Sequence, residues 1–294
     1  MKKSEFNKLK PMLLSEVAKP FNSCDYLYEL KFDGIRALIY INRDEIIIKS
    51  RNNIVLNDVY PELLDIKNIT NDECILDGEI VLFDNNKPSF SKLLTRVRLK
   101  NKYKIKEMME EDPVTFVCFD ILYKNKSLIN LPLIDRKEIL NKFKDNDIFV
   151  KSIVFNDGIN LFKLVKKEGL EGIVAKSKNS LYNYNKRVKE WIKIKNFQYY
   201  YYYICGYNLT KNNKLLSVIL GEYKNNKYYF VGKMSYSDKN EYFNKIKEEK
   251  IIKNYLIGYN YKANFIKPLY KIKVNYMEKS DKGILRQPFI NNDK

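Results

Sequence analysis

"YELKFDGIR", residues 28 to 36, sets Lys31 between Glu29 and Asp33 in a strand-like stretch, with the apolar run Ala37 to Ile41 close behind. A lone lysine on a strand is ordinarily a solvated edge residue. Composition narrows what else it could be. The chain has no histidine, which removes the commonest general base, the commonest metal ligand and every His-containing triad. Chemistry here has to run on lysine, carboxylate, arginine and a hard metal ion. A lysine attacks phosphorus only as the neutral amine, so it needs a lowered pKa or a proton acceptor beside it. Once attached, the phosphoramidate needs its nucleotide fixed and its phosphate charge neutralised. Departure of pyrophosphate calls for an oxygen-bound divalent cation.

That chemistry requires a lysine, carboxylates on neighbouring strands, an aromatic side chain for a base, and further cations for a phosphate. Such residues occur in order: Lys31-Phe32-Asp33-Gly34-Ile35-Arg36, Ser50-Arg51-Asn52, Asp77-Gly78-Glu79, Phe116-Val117-Cys118-Phe119-Asp120, Glu171-Gly172-Ile173-Val174-Ala175-Lys176 and Trp191-Ile192-Lys193-Ile194-Lys195. The elements that must carry them read from pattern. "YLYELKF" and "RALIYI" form a strand pair around an Asp33-Gly34 turn, and "EIIIKS" follows. Tyr60 to Ile69 has helical spacing behind Pro61. "CILDGEIVLF" is a buried strand interrupted at Asp77-Gly78-Glu79, whose two acids need partners or a metal. "KIKEMMEED" is helical up to Pro113, "VTFVCFDILY" is a buried strand, and "GINLFKLVKKEG" is an amphipathic helix ending at Gly169 before the strand "LEGIVAKS". "EWIKIKN" alternates strictly, so Lys193 and Lys195 share one strand face.

In this order the six elements resemble the collinear motifs of the covalent nucleotidyltransferases, the polynucleotide ligases and mRNA capping enzymes. K-x-D-G alone would be a weak match, but six elements in order over some 165 residues are a strong one, and the resemblance covers nearly the whole chain. The chain is most similar to the bacterial ATP-dependent DNA ligases of the end-joining type, through "VTFVCFDILY", "EGIVAKS" with "EWIKIK", and "YMEKSDKGILRQPF". The resemblance implies that Lys31 is the nucleophile taking AMP from ATP. Glu29 would lie beside the adenine and Phe119 would stack on it. Arg36 and Glu79 would hold the ribose, and Arg51 would reach the nucleotide and the 5′-phosphate of a nick. Asp33 and Glu171 would bind Mg²⁺ (or Mn²⁺), and Lys193 and Lys195 would neutralise the α-phosphate. Two departures stand out. The family closes with Arg-x-Asp-Lys, where this chain has Asn291-Asn292-Asp293-Lys294, which implies slow self-adenylation unless Lys294 substitutes. An L-R-H-P-like segment has Gln287 in place of histidine.

The implied fold is α+β: a nucleotidyltransferase (adenylation) domain of antiparallel sheets and helices over residues 1–196, followed by an OB-fold β-barrel over 197–294. The second part is tyrosine-rich, with "YYYYYICGY", "KLLSVILGEY", "KYYFVGKMSY", "LYKIKVNYMEK" and one helix near Glu241 to Glu249, a texture that fits a small barrel. The 294 residues carry 54 Lys and Arg against 36 Asp and Glu, a net charge of +18. From Phe197 onward 18 basic residues face 8 acidic ones, against 36 and 28 before it. Discounting what an AT-rich genome adds to lysine content, the C-terminal third remains the better nucleic-acid platform. Four spaced cysteines (Cys24, Cys74, Cys118, Cys205), placed in apolar surroundings and without C-x-x-C, argue against zinc and disulfides. No signal peptide or membrane-length apolar run is present, so a cytoplasmic monomer is expected. Its partners are nicked or broken duplex DNA, with a Ku-like end-binding helper by resemblance only.

Blander readings apply to several features. The run Arg96, Arg98, Lys100, Lys102, Lys104, Lys106 is a solvated surface, Phe119 is open to a core role, and the tyrosines at 199 to 203 are mostly strand core and interface. Competing functions are an RNA ligase or capping-type nucleotidyltransferase and, in a different class, a catalytically idle OB-type nucleic-acid binder.

Overall fold

The computed structural model describes residues 3–17, 19–212, 214–235, 245–280 and 282–290. Contacts divide the chain into two units, Met1–Asn196 and Phe197–Lys294. In the first, the strands are β1 (Leu13–Glu16), β2 (Tyr26–Leu30), β3 (Ile35–Ile41), β4 (Ile46–Ser50), β5 (Cys74–Asp84), β6 (Lys87–Pro88), β7 (Val114–Lys124), β8 (Phe149–Lys151), β9 (Val154–Phe155), β10 (Gly172–Ser177) and β11 (Arg187–Lys195). The helices are α1 (Lys3–Phe6), α2 (Phe90–Val97), α3 (Lys102–Glu111), α4 (Leu133–Leu140) and α5 (Gly158–Glu168), with a 3₁₀ segment over Pro61–Ile69. One sheet runs β1-β11-β10-β2-β9 and the other β4-β3-β5-β7-β8, with β6 on β5.

The strand pair expected around Asp33-Gly34 does not form. β2 pairs with β9 and β10, whereas β3 pairs with β4 and β5, so Lys31 to Gly34 carry the chain from one sheet to the other. A two-residue hairpin of the Asp-Gly type needs positive φ at both central residues, and neither Asp33 nor Gly34 has it. The glycine serves a different need. A Cβ on Gly34 would lie 2.3 Å from the carbonyl oxygen of Ile80 and 2.8 Å from Glu79 Cγ, so only glycine lets the crossing press against β5.

Alternation on β3 divides two cores. Ala37, Ile39 and Ile41 join Leu76, Ile80, Phe116 and Leu63 on the outer side of the second sheet. Leu38 and Tyr40 join Leu27, Ile75, Leu122, Leu133 and Trp191, a core with residues from both sheets. A third core packs α5 (Leu161, Phe162, Val165) on Tyr28, Ile173 and Ala175. Burial on both faces explains why "RALIYI" shows no polar alternation. Asp77-Gly78-Glu79 does not interrupt β5, which runs unbroken with register shifts against β7. At one shift Asp77 pairs with Asp120 and Gly78 with Cys118, leaving Phe119 without a partner. Such a bulge re-aims the extra side chain.

Two surface readings are corrected. Arg96 is fully buried and ion-paired to Glu62, over the Tyr60 ring; its place on α2 puts it on the core face that a run of like charges disguises. Cys74, Cys118 and Cys205 are buried free thiols, but Cys24 is exposed.

The second unit contains β12 (Gln198–Leu209), β13 (Leu215–Lys224), β14 (Lys227–Ser235), β15 (Asn264–Phe265) and β16 (Lys271–Tyr276), ordered β14-β13-β12-β15 with β16 also on β12. Asn225 and Asn226, both at positive φ, make the tight β13–β14 turn that such residues favour. Tyr202, Ile204, Tyr207, Val218, Leu220, Val231 and Val274 form its core. Tyr199, Tyr200 and Tyr201 are 60%, 52% and 49% exposed, so most of this tyrosine run is surface rather than core. Residues 241–244 of the expected helix, and the terminal Asn291 to Lys294, lie outside the described residues. Among the described residues no helix is long and apolar enough to cross a membrane.

Candidate active site

A pocket opens in the first unit, and both sheets build its walls. Lys31, Glu29, Leu30 and Phe32 come from the β2 end, Val174 and Lys176 from β10, Leu14 from β1 and Trp191 from β11. The second sheet adds Arg36, Glu79 and Phe119. Lys31 extends the β2–β10 pairing by one bond, its N–H donating to the Gly172 carbonyl at 2.9 Å. Its Nζ lies 2.7 Å from both carboxylate oxygens of Glu171. A half-buried amine held against a carboxylate has its proton acceptor in place.

The second sheet contributes an anchored guanidinium. Arg36 donates Nε and an Nη to the two oxygens of Asp77 at 2.9 and 2.7 Å, and Tyr182 donates its hydroxyl to Asp77 at 2.5 Å. The acids of Asp77-Gly78-Glu79 are thus split: Asp77 holds Arg36, and Glu79 faces the pocket. The guanidinium carbon of Arg36 sits 4.8 Å from the Phe119 ring centre. Burial pushes the Glu79 carboxyl up to about 8; Lys31 and Arg36 oppose this, while Glu171 and Asp77 add to it. Folding therefore favours the protonated acid. The stability it contributes is full below its ordinary pKa of 4.5 and is lost as pH rises through about 8. Glu79→Gln, which mimics the protonated form, should gain on wild type by roughly 2–4 kcal/mol between pH 4.5 and pH 9. Urea unfolding of both proteins at several pH values measures this, and parallel curves would dismiss the protonated acid.

The rest of the pocket lining is apolar except for one ionic cluster. Leu14, Leu30, Phe32, Val174, Phe119 and Trp191 line it together with Glu29, which is 2% exposed. Lys176 Nζ lies 3.0 Å from one Glu29 oxygen and Lys137 Nζ 2.6 Å from the other. Burial alone would raise the Glu29 carboxyl, but the two ammonium groups outweigh it and hold it below its usual range. Burial pulls Lys176 down to about 8, against the pull of Glu29 and with the help of Lys137. Its Nζ also sits 4.2 and 4.3 Å from the Phe119 and Trp191 ring centres.

Glu29, Lys31, Arg36, Glu79 and Phe119 therefore line one pocket from its two sheets, and Glu171 reaches it through Lys31. Lys193 and Lys195 share a face of β11 as their alternation requires, and both pair with Glu16, at 2.9 and 3.7 Å. They do not line the pocket, but Lys195 is close enough for the Lys31 charge to help burial lower its pKa. Arg51 sits on the exposed turn after β4, where its N–H donates to the Arg36 carbonyl at 3.1 Å, and its side chain is not on the wall. Asp33 lies in the crossing beside Lys31. Among the described residues no group of three or more carboxylates, thiols or imidazoles gathers to hold a metal. Asp33 and Glu171 are carboxylates, the donor type of which Mg²⁺ takes one or two beside water and substrate phosphate, and Glu171 is engaged by Lys31. Sequence reasoning missed Lys176 and Lys137. A lysine closing the apolar run "GIVAK" was a signal for the first.

The family model described as ATP dependent DNA ligase domain matches residues 11–195. The SPbeta prophage-derived DNA ligase-like protein LigB of Bacillus subtilis (strain 168) is 34% identical over 211 residues, covering 70% of this chain and 74% of that protein. The bifunctional non-homologous end joining protein LigD of the same strain is 31% identical over 230 residues, 71% of this chain. The DNA ligase of Methanococcus vannielii is 36% identical over 194 residues. The chain spans only 37% and 34% of these last two. Among solved structures, the ligase domain of M. tuberculosis LigD has a TM-score of 0.59 at 23% identity, covering 96% of this chain and 94% of that one. A Lig E DNA ligase has a TM-score of 0.63 at 17% identity, covering 93% and 96%. These two likenesses concern the fold, a nucleotidyltransferase-type ligase domain with mixed sheets and few helices.

Proposed function

Because the chain belongs to the family of ATP-dependent DNA ligase domains, we propose that it seals 3′-OH/5′-phosphate breaks in duplex DNA with Lys31 as the nucleophile. The observation that carries this reading is the Lys31 amine, held by Glu171 at 2.7 Å in a pocket also lined by Leu14, Leu30, Val174, Phe119 and Trp191. Lys31 Nζ passes a proton to Glu171 and attacks the α-phosphorus of ATP. The P–N bond forms as the bond to the departing pyrophosphate breaks. A 5′-phosphate oxygen of DNA then takes the AMP, breaking the P–N bond and returning the proton to Lys31. Last, the 3′-OH attacks the activated 5′-phosphate and AMP leaves. Phe119 stacks on the base beside Glu29, and Arg36, fixed by Asp77, meets the ribose with Glu79. Lys193 and Lys195 approach the α-phosphate when Glu16 releases them, and Arg51 serves the DNA 5′-phosphate. Mg²⁺ (or Mn²⁺) at Glu171 and Asp33 would supply charge neutralisation to the phosphates.

We assign residues 1–196 as the adenylation domain and 197–294 as an OB-fold that meets DNA through its basic surplus. Repair by end joining in the cytoplasm, as a monomer with help from a Ku-like end-binding protein, completes the reading. Incubation with labelled ATP or GTP and Mg²⁺, then with nicked duplex, tests it. Protein-bound label from ATP that is stable to alkali and released by acid, as a P–N bond is, and closure of DNA nicks are expected. Label from GTP would mean a capping-type enzyme, and sealing of nicked RNA alone an RNA ligase. No label with intact DNA binding would mean an idle binder.

A further inference from the structure

Building on the assignment of the pocket to a nucleotide, we propose that Lys137 sets the choice of adenine over guanine. It does so as a positioning residue, holding Glu29 as a charged acceptor beside the ammonium donor of Lys176. Glu29 and Lys176 lie on one face of the β2–β10 pair, since Glu29 is opposite Val174, two residues from Lys176. Both line the pocket, and Lys137 does not. Lys137 reaches Glu29 from behind, on α4, at 2.6 Å.

Three observations suit such a role. Lys137 Nζ, at 2.6 Å, and the neighbouring buried Ser152 both act on the Glu29 carboxylate and favour its charged form. Lys137 is also placed firmly. The preceding residue, Arg136, is fully buried, pairs with both oxygens of Asp120 at 2.8 Å, and donates to the carbonyls of Leu131 and Ser180 at 2.6 and 3.0 Å. Finally, one buried carboxylate is given two ammonium groups where one would neutralise it.

The second ammonium matters because of what the two purines present. Adenine carries an amino donor at position 6 flanked by ring-nitrogen acceptors; guanine carries an oxygen acceptor there. An ionised carboxylate only accepts and an ammonium only donates, so the pair matches adenine and sets Glu29 against the guanine oxygen. A protonated Glu29 could donate to that oxygen, and selection would fade. Lys176 alone is a poor guardian of the charge, because burial already draws its own proton affinity down to about 8.

The test uses the full chain and reads Lys31 adduct formation from α-labelled ATP and GTP with Mg²⁺. Wild type should prefer ATP by about 100-fold or more in kcat/KM. In Lys137→Met, KM for ATP should rise about tenfold with kcat within about threefold, and the ATP:GTP ratio should fall on the order of 30-fold. Lys137→Arg should restore the ratio to within about threefold of wild type. Should Lys137→Met not fold, the double variant Glu29→Gln, Lys137→Met, which leaves no uncompensated carboxylate, should show the same loss of preference. A purely structural lysine would lower ATP and GTP use alike, so an unchanged ratio overturns the proposal. A wild-type chain labelled by neither nucleotide overturns the nucleotide assignment itself, and this inference with it.

Discussion

Lys31→Arg should abolish adduct formation from ATP, by more than about 10³-fold, while leaving the closure of pre-adenylated nicks within about tenfold of wild type. The nucleophile has to be a neutral amine, and a guanidinium is never deprotonated in this range. The substitution keeps the positive charge against Glu171, and arginine can take both carboxylate oxygens at once. Neither the sheets nor the phosphate contacts therefore lose a cation. Closing a nick that already carries AMP needs no lysine nucleophile, only the metal and the other cations. Assaying the variant on ordinary and pre-adenylated nicks separates the steps. Wild-type closure of ordinary nicks would remove Lys31 from the mechanism, and failure on both substrates would show that it also has a structural task.

The second large effect is on stability. Arg136→Met should destabilise the first unit by about 3–5 kcal/mol, because Asp120, itself fully buried, is left charged in an apolar core. The sole tryptophan, Trp191, is buried in this unit and donates its ring N–H to Ser180, so its fluorescence follows this unfolding alone. In urea the midpoint should fall by roughly 1–2 M at an ordinary denaturant slope. The double variant Asp120→Leu, Arg136→Met should recover most of the loss, since replacing a buried pair with apolar groups is often neutral. If the single substitution left the midpoint unmoved, Asp120 would have to be neutral or solvated.

Much of the chemistry was legible because it lies in short ordered motifs. Lys31, Arg36, Glu79 and Phe119, far apart in the chain, line one pocket. The strands around them were legible too, since β5, β7, β10 and β11 are apolar or alternating runs bounded by turns. What the sequence concealed was pairing at a distance. Asp33-Gly34 has the composition of a hairpin turn, but whether β2 and β3 pair depends on β5 and β10, which begin only at Cys74 and Gly172. Arg96 reads as one more surface cation until Glu62, on another element, is placed against it. Lys137 looks like an exposed residue of an ordinary helix in "LIDRKEIL". Only the packing of α4 reveals that it is buried beside Glu29. The exposed tyrosines at 199 to 201 carry the same strand signal as the buried Tyr202, because β-propensity does not depend on which side of the strand meets water.

The pocket is a gap between two sheets, and the core shared by those sheets works as its spacer. Leu38, Tyr40, Ile75 and Leu122 on one sheet and Leu27 and Trp191 on the other act as shims that set how far apart the walls stand. Facing sheets sit about 10 Å apart, and interiors are packed so closely that one methylene is felt. The width of the pocket is thus tuned in part by side chains, such as Leu38 and Leu122, that do not line it. Exchanging Leu38 or Leu122 for a smaller or larger neighbour adjusts the slot like a gauge, far from every reacting atom.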